Sequence, residues 1–545
     1  MAQPKPTKRR AVARKKTTKT TRPRARAPRK LTSLNPRTGE VRGEVPATAP
    51  GEVADVVERA RKVAPEWAAI APEGRARMMR EVRHRIYDRL DDIVETVAAE
   101  CGKPRHEALA HDVLPPLLIL TTLEAVAPRA LRPERIGLFT PPVLPKLLSG
   151  TSARTEWRPF GVVGCITPWN YPMANSFLAF APALFAGNAV VIKPSEVTPA
   201  CGELIRDLLE PLPSGVASVV QGGEAVGAAL VDAPVDKVSF IGSPATGRKI
   251  CQAAAKHLTP VVMELGGKDA AIVCSDSDLD YASSGILWGA FYNAGQTCCS
   301  IERAYVVDSV VDEFKEKLLG KLTIVRQGED VGSMTFAPQL DIVKKQVADA
   351  TAKGASVLAG GPEVGIKNRN GSLWYAPTVL DSVGPEMEVV RQETFGPVLT
   401  IVPVRDEDEA VKRANEDGVN LTASVWSSSK ALSDSISARL RAGTVTVNLH
   451  GETAAAAWSP WGGVGESGYG RLNGLQGIRE FVYPVNVTRN SNTRIPRLWW
   501  YPYDDATERA FRSIADLFGA PSASDRVRGF TSLLRNASEA LKKKL

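Results

Sequence analysis

The sequence predicts an α/β protein built on doubly wound parallel sheets. Three observations carry that prediction. From about residue 160, short β-branched runs alternate with helical stretches, the texture of a parallel sheet covered on both faces. A second α/β stretch follows over roughly 267–466. The length of 545 residues, at 43% hydrophobic and 24% charged, suits at least two such domains with the composition of an ordinary globular chain. Sheets of this kind take ligands at the carboxyl ends of their strands.

Residues 1–30 stand apart: they hold 13 Lys or Arg and no acid, so the formal charge of +9 leaves the remaining body at −4. With almost no large apolar side chain, this segment cannot offset its ordering entropy, and a disordered tail is expected. Pro4, Pro6, Pro23 and Pro28 argue against the amphipathic helix of a mitochondrial transit peptide. The tail would attract an anionic partner, nucleic acid or lipid, only weakly and in a salt-dependent way.

Two helices come next. Apolar residues recur at three- and four-residue steps over Glu52–Ala69 and over Glu73–Cys101, and Gly102 and Pro104 stop the second. No run of about 18 apolar residues occurs, so no spanning helix is expected; Leu114–Ala127 is too short and carries Glu124. The strand runs are Gly161–Ile166, Ala189–Ile192, Val219–Val220, Lys237–Ile241 and Val261–Leu265. Between them lie helical stretches at Asn175–Ala186, Ala200–Leu209, Glu224–Val231 and Gly247–Lys256. One more strand is expected within 483–495. Residues 496–545 form a C-terminal extension with Trp499, Trp500, Tyr501 and Tyr503 and an amphipathic helix near Glu508–Phe518. Its aromatic residues suit either packing or a membrane surface.

Seven cysteines without CxxC spacing, and five scattered histidines, offer no metal site and fit a reducing, cytoplasmic setting. Four local features hold candidate chemistry. Cys298 follows an apolar helix in Gly295-Gln296-Thr297-Cys298-Cys299; it is either a nucleophile or a buried small hydrophobe. Glu264 ends a strand before two glycines, as a general base or as the ion-pair partner of Lys268. Asn170, in Thr167-Pro168-Trp169-Asn170-Tyr171-Pro172, offers a neutral amide donor where the sheet opens, or a simple cap. The strand-to-helix junction Phe240–Gly247 suits a phosphate at a helix N-terminus, although it matches neither GxGxxG nor the phosphate-loop pattern.

Taken in order, the motifs TPWNYP (167–172), KPSE (193–196), FIGSPATG (240–247), ELGGK (264–268), GQTC (295–298), ETFGPV (393–398) and GGVGESGYGR (462–471) resemble the aldehyde dehydrogenase superfamily over roughly residues 33–490. The resemblance implies two Rossmann-like domains, a cofactor domain over 31–140 and 159–266 and a catalytic domain over 267–466. It also implies a small β oligomerisation element from 141–158 and 483–495, joining a homodimer or homotetramer. Cys298 would attack the aldehyde carbon, and Asn170 with the Cys298 backbone N–H would stabilise the oxyanion, a donor of this kind being worth about 3 kcal/mol. After hydride transfer to NAD or NADP, Glu264 would deprotonate the water that hydrolyses the thioester. Relatives that pass the acyl group to coenzyme A typically lack that glutamate, so a free acid is the expected product.

For the cofactor, the resemblance carries Lys193 and Glu196 to the adenosine ribose, Trp169 and Ser243 to the pyrophosphate, and Glu393 and Phe395 to the nicotinamide side. Ile166, Thr167, Ser195, Gly242, Gly247, Leu265 and Gly266 complete the expected site. The Glu196 carboxylate would repel a 2′-phosphate, which favours NAD, with NADP as the alternative. Phrases around GQTCCSIER are similar to relatives named for succinate semialdehyde. The arginines that better-established members use for that carboxylate are replaced here by Leu178 and Tyr292. An apolar entry lined by Phe177, Leu178, Phe291, Tyr292 and Trp461 suits aliphatic or aromatic aldehydes. Cys299 is either a pocket-wall residue or a transient disulfide partner of Cys298.

Overall fold

A computed structural model describes residues 30–136, 151–416, 418–451, 456–491, 493–494, 496–542 and 544. The expected tail therefore falls, apart from Lys30, outside the described residues, as do residues 141–150 of the expected oligomerisation element. Lys30 itself opens a strand, Lys30–Asn35, paired with Glu40–Pro46.

Two sheets organise the body. The first has six strands, and its five parallel members run in the spatial order Val261–Leu265, Lys237–Gly242, Val162–Ile166, Ala189–Lys193 and Ala217–Val219. The chain starts in the middle, winds to one edge, then crosses to the other. The order therefore reverses between Val162–Ile166 and Lys237–Gly242, and a crevice opens there. Alternation along each strand feeds two cores. Val162, Val191 and Phe240 meet the helices Val53–Ala69, Glu224–Asp232 and Pro244–Ala255. Val163, Ile192 and Ile241 face a larger core that includes the helices Leu114–Ala130 and Pro172–Ala186.

The second sheet has seven strands, with a parallel centre formed by Ala376–Asp381, Val398–Val404, Ile301–Val307, Asp269–Val273, Thr422–Trp426 and Thr444–Val447. It too is covered on both faces. The short strand Gly468–Tyr469 returns from this region to pair antiparallel with Glu264 and Met263, closing the first sheet's edge. A third sheet of three antiparallel strands joins Val482–Asn490, Thr151–Pro159 and Glu134–Ile136.

Three expectations change. The periodic stretch Glu73–Cys101 is two helices, Pro72–Asp88 and Leu90–Cys101, because Arg89 leaves the helical region at φ −107° and ψ 22°. Arg105–Ala130 is a single 26-residue helical run, by length and composition apolar enough to cross a membrane. Its Ile119, Leu120, Leu123 and Ala127 are nevertheless buried in the first domain's core, so it packs as a core helix. The C-terminal extension contains a second helix, Ala523–Lys542, which pairs with Asp505–Gly519 through Ala506, Ala510, Leu533, Ala537 and Ala540.

Candidate active site

The crevice at the strand reversal is where the chemistry gathers. Thr167–Asn170 leaves the central strand. Gly242 and Ser243 leave its neighbour, and Ser243 caps the helix Pro244–Ala255 by accepting the Thr246 N–H at 3.3 Å. Glu264 arrives on the next strand. From the second sheet, the loop after the helix Leu279–Phe291 brings Cys298, and the loop before Val398–Val404 brings Glu393 and Phe395. Together with Trp169, Asn170, Ile241 and Gly266 they enclose a cavity of ≈ 270 Å³.

Cofactor-side residues separate into two groups. Trp169, Gly242, Ser243, Gly266, Glu393 and Phe395 line this cavity. The Phe395 ring meets Trp169 edge-on at 5.5 Å. Gly266 is required by close approach: a Cβ there would stand 2.3 Å from Glu393 Oε2. Glu393 accepts the Gly267 N–H at 3.2 Å, and burial with Glu302 and Asp269 nearby holds its carboxyl well above the usual range. Lys193 and Glu196 form an ion pair at 2.7 Å, Glu196 half exposed.

The others do not present side chains to the cavity. Ile166 is core; the Thr167 hydroxyl turns to Ser176 Oγ at 2.9 Å; Ser195 Oγ accepts the Val197 N–H. Leu265 packs under Gly247 and gives its N–H to Ser467 O. Any part these five take is through backbone or packing. Gln339 and Ile342 line the cavity unanticipated; they sit on the helix Ala337–Ala352, which carries no motif. The lining suits the phosphate and nicotinamide part of a dinucleotide, with a helix N-terminus and glycine on one side and a carboxylate and two aromatic rings beside Cys298, while Lys193 and Glu196 lie outside it.

The three candidate reacting groups, Asn170, Glu264 and Cys298, are tightly set. Asn170 is buried; its Nδ2 donates to Gln296 O at 3.0 Å, and its Oδ1 accepts from Asn175 Nδ2 at 3.1 Å. That pairing fixes the amide, and Asn170 also lines the cavity. Glu264 is not paired with Lys268, which binds Glu302 instead. Its Oε1 accepts from Trp461 Nε1 at 3.1 Å. Burial pushes the Glu264 carboxyl up to about 7, against the partial pull of the Trp461 and Cys298 hydrogen bonds. A hydrogen bond with Cys299, then burial and the Glu264 charge, hold the Cys298 thiol well above the ordinary range, so it rests protonated.

A second, smaller cavity also reaches Cys298. It is lined by Leu178, Tyr292, Trp461, His111, Ile119 and Tyr171, and it shares Asn175 and Cys298 with the first. No Lys or Arg lines it among the described residues. Burial, with Lys103 and His106 nearby, lowers His111 to about 4, so its imidazole is neutral near pH 7. Two expected pocket residues lie elsewhere. On the helix Pro172–Ala186, Asn175 and Leu178 share the cavity face, whereas Phe177 is wholly buried against Phe180, ring centres 4.7 Å apart. Phe291 belongs to the second domain's core. Cys299 is a wall residue, 3.4 Å from the Tyr292 hydroxyl.

Two cavities, one lined by a helix N-terminus, glycines and a carboxylate and the other largely apolar, thus meet at one cysteine. Comparison with known proteins identifies the family. The model of the aldehyde dehydrogenase family matches residues 24–487, and the chain belongs to that family. It is 37% identical to the 4,4′-diapolycopene aldehyde oxidase of a Methylomonas species, over 91% of this chain and 93% of that protein. A Mycobacterium tuberculosis protein provisionally named succinate-semialdehyde dehydrogenase (NADP+) is 38% identical, over 82% of this chain and 86% of that one. Among solved structures, betaine aldehyde dehydrogenase from Staphylococcus aureus in complex with NAD+ superposes with a TM-score of 0.81 at 28% identity, over 87% of this chain and 94% of that one. The protein is an NAD(P)-dependent aldehyde dehydrogenase that oxidises an aldehyde to a carboxylic acid.

Proposed function

We propose that the substrate is an apolar aldehyde, aliphatic or aromatic, and that Cys298, Glu264 and Asn170 carry the reaction. The observation that carries the substrate reading is the smaller cavity at Cys298, which offers a terminal carboxylate no cation among its described residues. Desolvating a carboxylate there would go uncompensated. The diapolycopene relative supports the same reading: its alignment takes in 91% of this chain, more than the 24–487 spanned by the family match.

Near neutral pH the Glu264 carboxyl is close to half ionised, which suits it to take a proton from the Cys298 thiol or from water. The sulfur attacks the carbonyl carbon, and the oxyanion receives an N–H of Asn170. Trp169, Ser243, Glu393 and Phe395 would hold the dinucleotide, which would supply the hydride acceptor. Glu264 then activates the water that cleaves the thioester and frees the acid. Glu196 at the adenosine end favours NAD over NADP.

The third sheet is exposed along most of Val482–Asn490; we take it as the contact of a homodimer or homotetramer, to be checked by light scattering. The enzyme is proposed to work in the cytoplasm, with Trp499, Trp500, Tyr501 and Tyr503, all half or more exposed, available for peripheral membrane contact. The substrate test is NADH formation with decanal and with succinate semialdehyde. Preference for decanal is expected; preference for the semialdehyde overturns the substrate reading and leaves the thiol chemistry standing.

A further inference from the structure

The loop that delivers the nucleophile is held in an unfavourable shape. Asn293 (φ 52°, ψ 31°) and Ala294 (φ 53°, ψ 37°) are both left-handed, and Gly295 follows at φ 68°. Two consecutive non-glycine residues in that region are unfavourable, so the surroundings must impose the turn. Within the turn, Asn293 Nδ2 donates to Asn170 O and to Gln296 O, each at 3.1 Å. The Gln296 side chain returns a bond from Nε2 to Asn293 O at 3.0 Å. Those contacts tie the turn to itself and to Asn170. They do not hold it to the rest of the first domain.

Two side chains do: the Tyr171 hydroxyl hydrogen-bonds Thr297 Oγ1 at 2.6 Å just past the turn, and Glu107 reaches the turn itself. Glu107 lies on the short helix Arg105–Ala108, just before the π-helical turn Leu109–Val113. It is 5% exposed, and its Oε1 accepts the Asn293 backbone N–H at 3.0 Å. Its Oε2 is buried with no hydrogen-bond partner. The nearby ammonium of Lys103 is committed to Asp112 and to Asn170 O, each at 2.8 Å. Burial pushes the Glu107 carboxyl up to about 7, with the Asn293 N–H and Lys103 opposing the rise and Asp112 and Asp330 adding to it. Its one hydrogen bond goes to the first left-handed residue of the nucleophile loop.

We infer that Glu107 is a positioning residue, clamping the left-handed turn at Asn293 so that Cys298 and Asn170 stay in register across the interface of the two domains. The segment 103–113 grips both halves of the site at once. Lys103 holds the Asn170 carbonyl, Asp112 caps the helix after it by accepting the Met173 N–H at 3.1 Å, and Glu107 holds the nucleophile loop. The inference rests on Cys298 being the nucleophile.

The test uses the full-length enzyme with Glu107→Gln, which keeps shape and an acceptor oxygen, and Glu107→Ala, which removes the acceptor. Three quantities are read: kcat with decanal, the Kd of NAD, and the rate at which iodoacetamide alkylates Cys298, located by mass spectrometry. Loss of a buried charge-assisted hydrogen bond predicts a fall of about tenfold in kcat and in alkylation rate for Glu107→Ala. Glu107→Gln should fall between it and the parent, with the Kd of NAD within about twofold in both, since the dinucleotide groups stay in place. Parental kcat and parental alkylation in Glu107→Ala overturn the inference. If that variant does not fold, Glu107→Leu, which fills the same space without an acceptor, takes its place and is read the same way. Full activity in Cys298→Ala would instead remove the reading beneath it.

Discussion

At the scale of single residues, the chemistry depends on how burial tunes two groups in contact. Glu264 is raised to about 7 by burial, while the Trp461 indole holds it down. The proton must leave Glu264 before it can activate water, so acyl-enzyme hydrolysis should climb as pH rises through about 7. Glu264→Gln should abolish that limb and give a burst of NADH followed by slow turnover, read by stopped-flow absorbance. A steady-state rate equal to the parent's would remove Glu264 as the base. Trp461→Phe deletes a hydrogen bond that favours the carboxylate, so the same limb should move to higher pH. Cys298→Ala should eliminate oxidation while titration calorimetry still finds NAD binding. The positions of Glu264 and Cys298 stood out in the sequence because each lies inside an ordered motif, whereas Trp461 lies just outside one. Glu107 did not stand out: it meets Asn293 across 186 positions of chain, and no local pattern encodes a contact that only the docking of two domains creates.

At the scale of elements, the helix Pro172–Ala186 shows what periodicity leaves undecided. Apolar residues occur all round it, so the sequence does not say which of Phe177 and Leu178 meets the cavity. Packing assigns Phe177 to the core with Phe180, and Leu178 to the cavity wall. Phe177→Ala should therefore destabilise the fold by about 3–5 kcal/mol, seen in denaturant melts, with little change in the KM for aldehyde. Leu178→Arg should do the reverse. It places a cation beside the entry and should move preference toward succinate semialdehyde by about tenfold or more in kcat/KM ratio, if an added ion pair contributes the usual 1–3 kcal/mol. Strands were legible to within one or two residues, since five short β-branched runs are punctuated by glycine and proline. The break at Arg89 was not, because no proline or glycine marks it and the apolar period continues through it.

At the scale of the whole molecule, the candidate site comes from the meeting of two sheets. The first supplies Asn170 and Glu264 at its strand ends, and the second supplies Cys298, Glu393 and Phe395. Each domain's class was readable from alternating runs, but the relative placing of the sheets was not, and that placing creates both cavities. The helices Asp505–Gly519 and Ala523–Lys542 pack on one another with a small core of their own. Removing residues 504–545 should leave turnover of a water-soluble aldehyde within about twofold, if this pair folds as a separate appendage.

The most direct measurement of the central claim is kcat/KM for NADH formation near pH 8, decanal against succinate semialdehyde, on the full-length enzyme. The account predicts a clear preference for decanal, lost entirely in Cys298→Ala. Preference for succinate semialdehyde, or NADH formation surviving in Cys298→Ala, would contradict it.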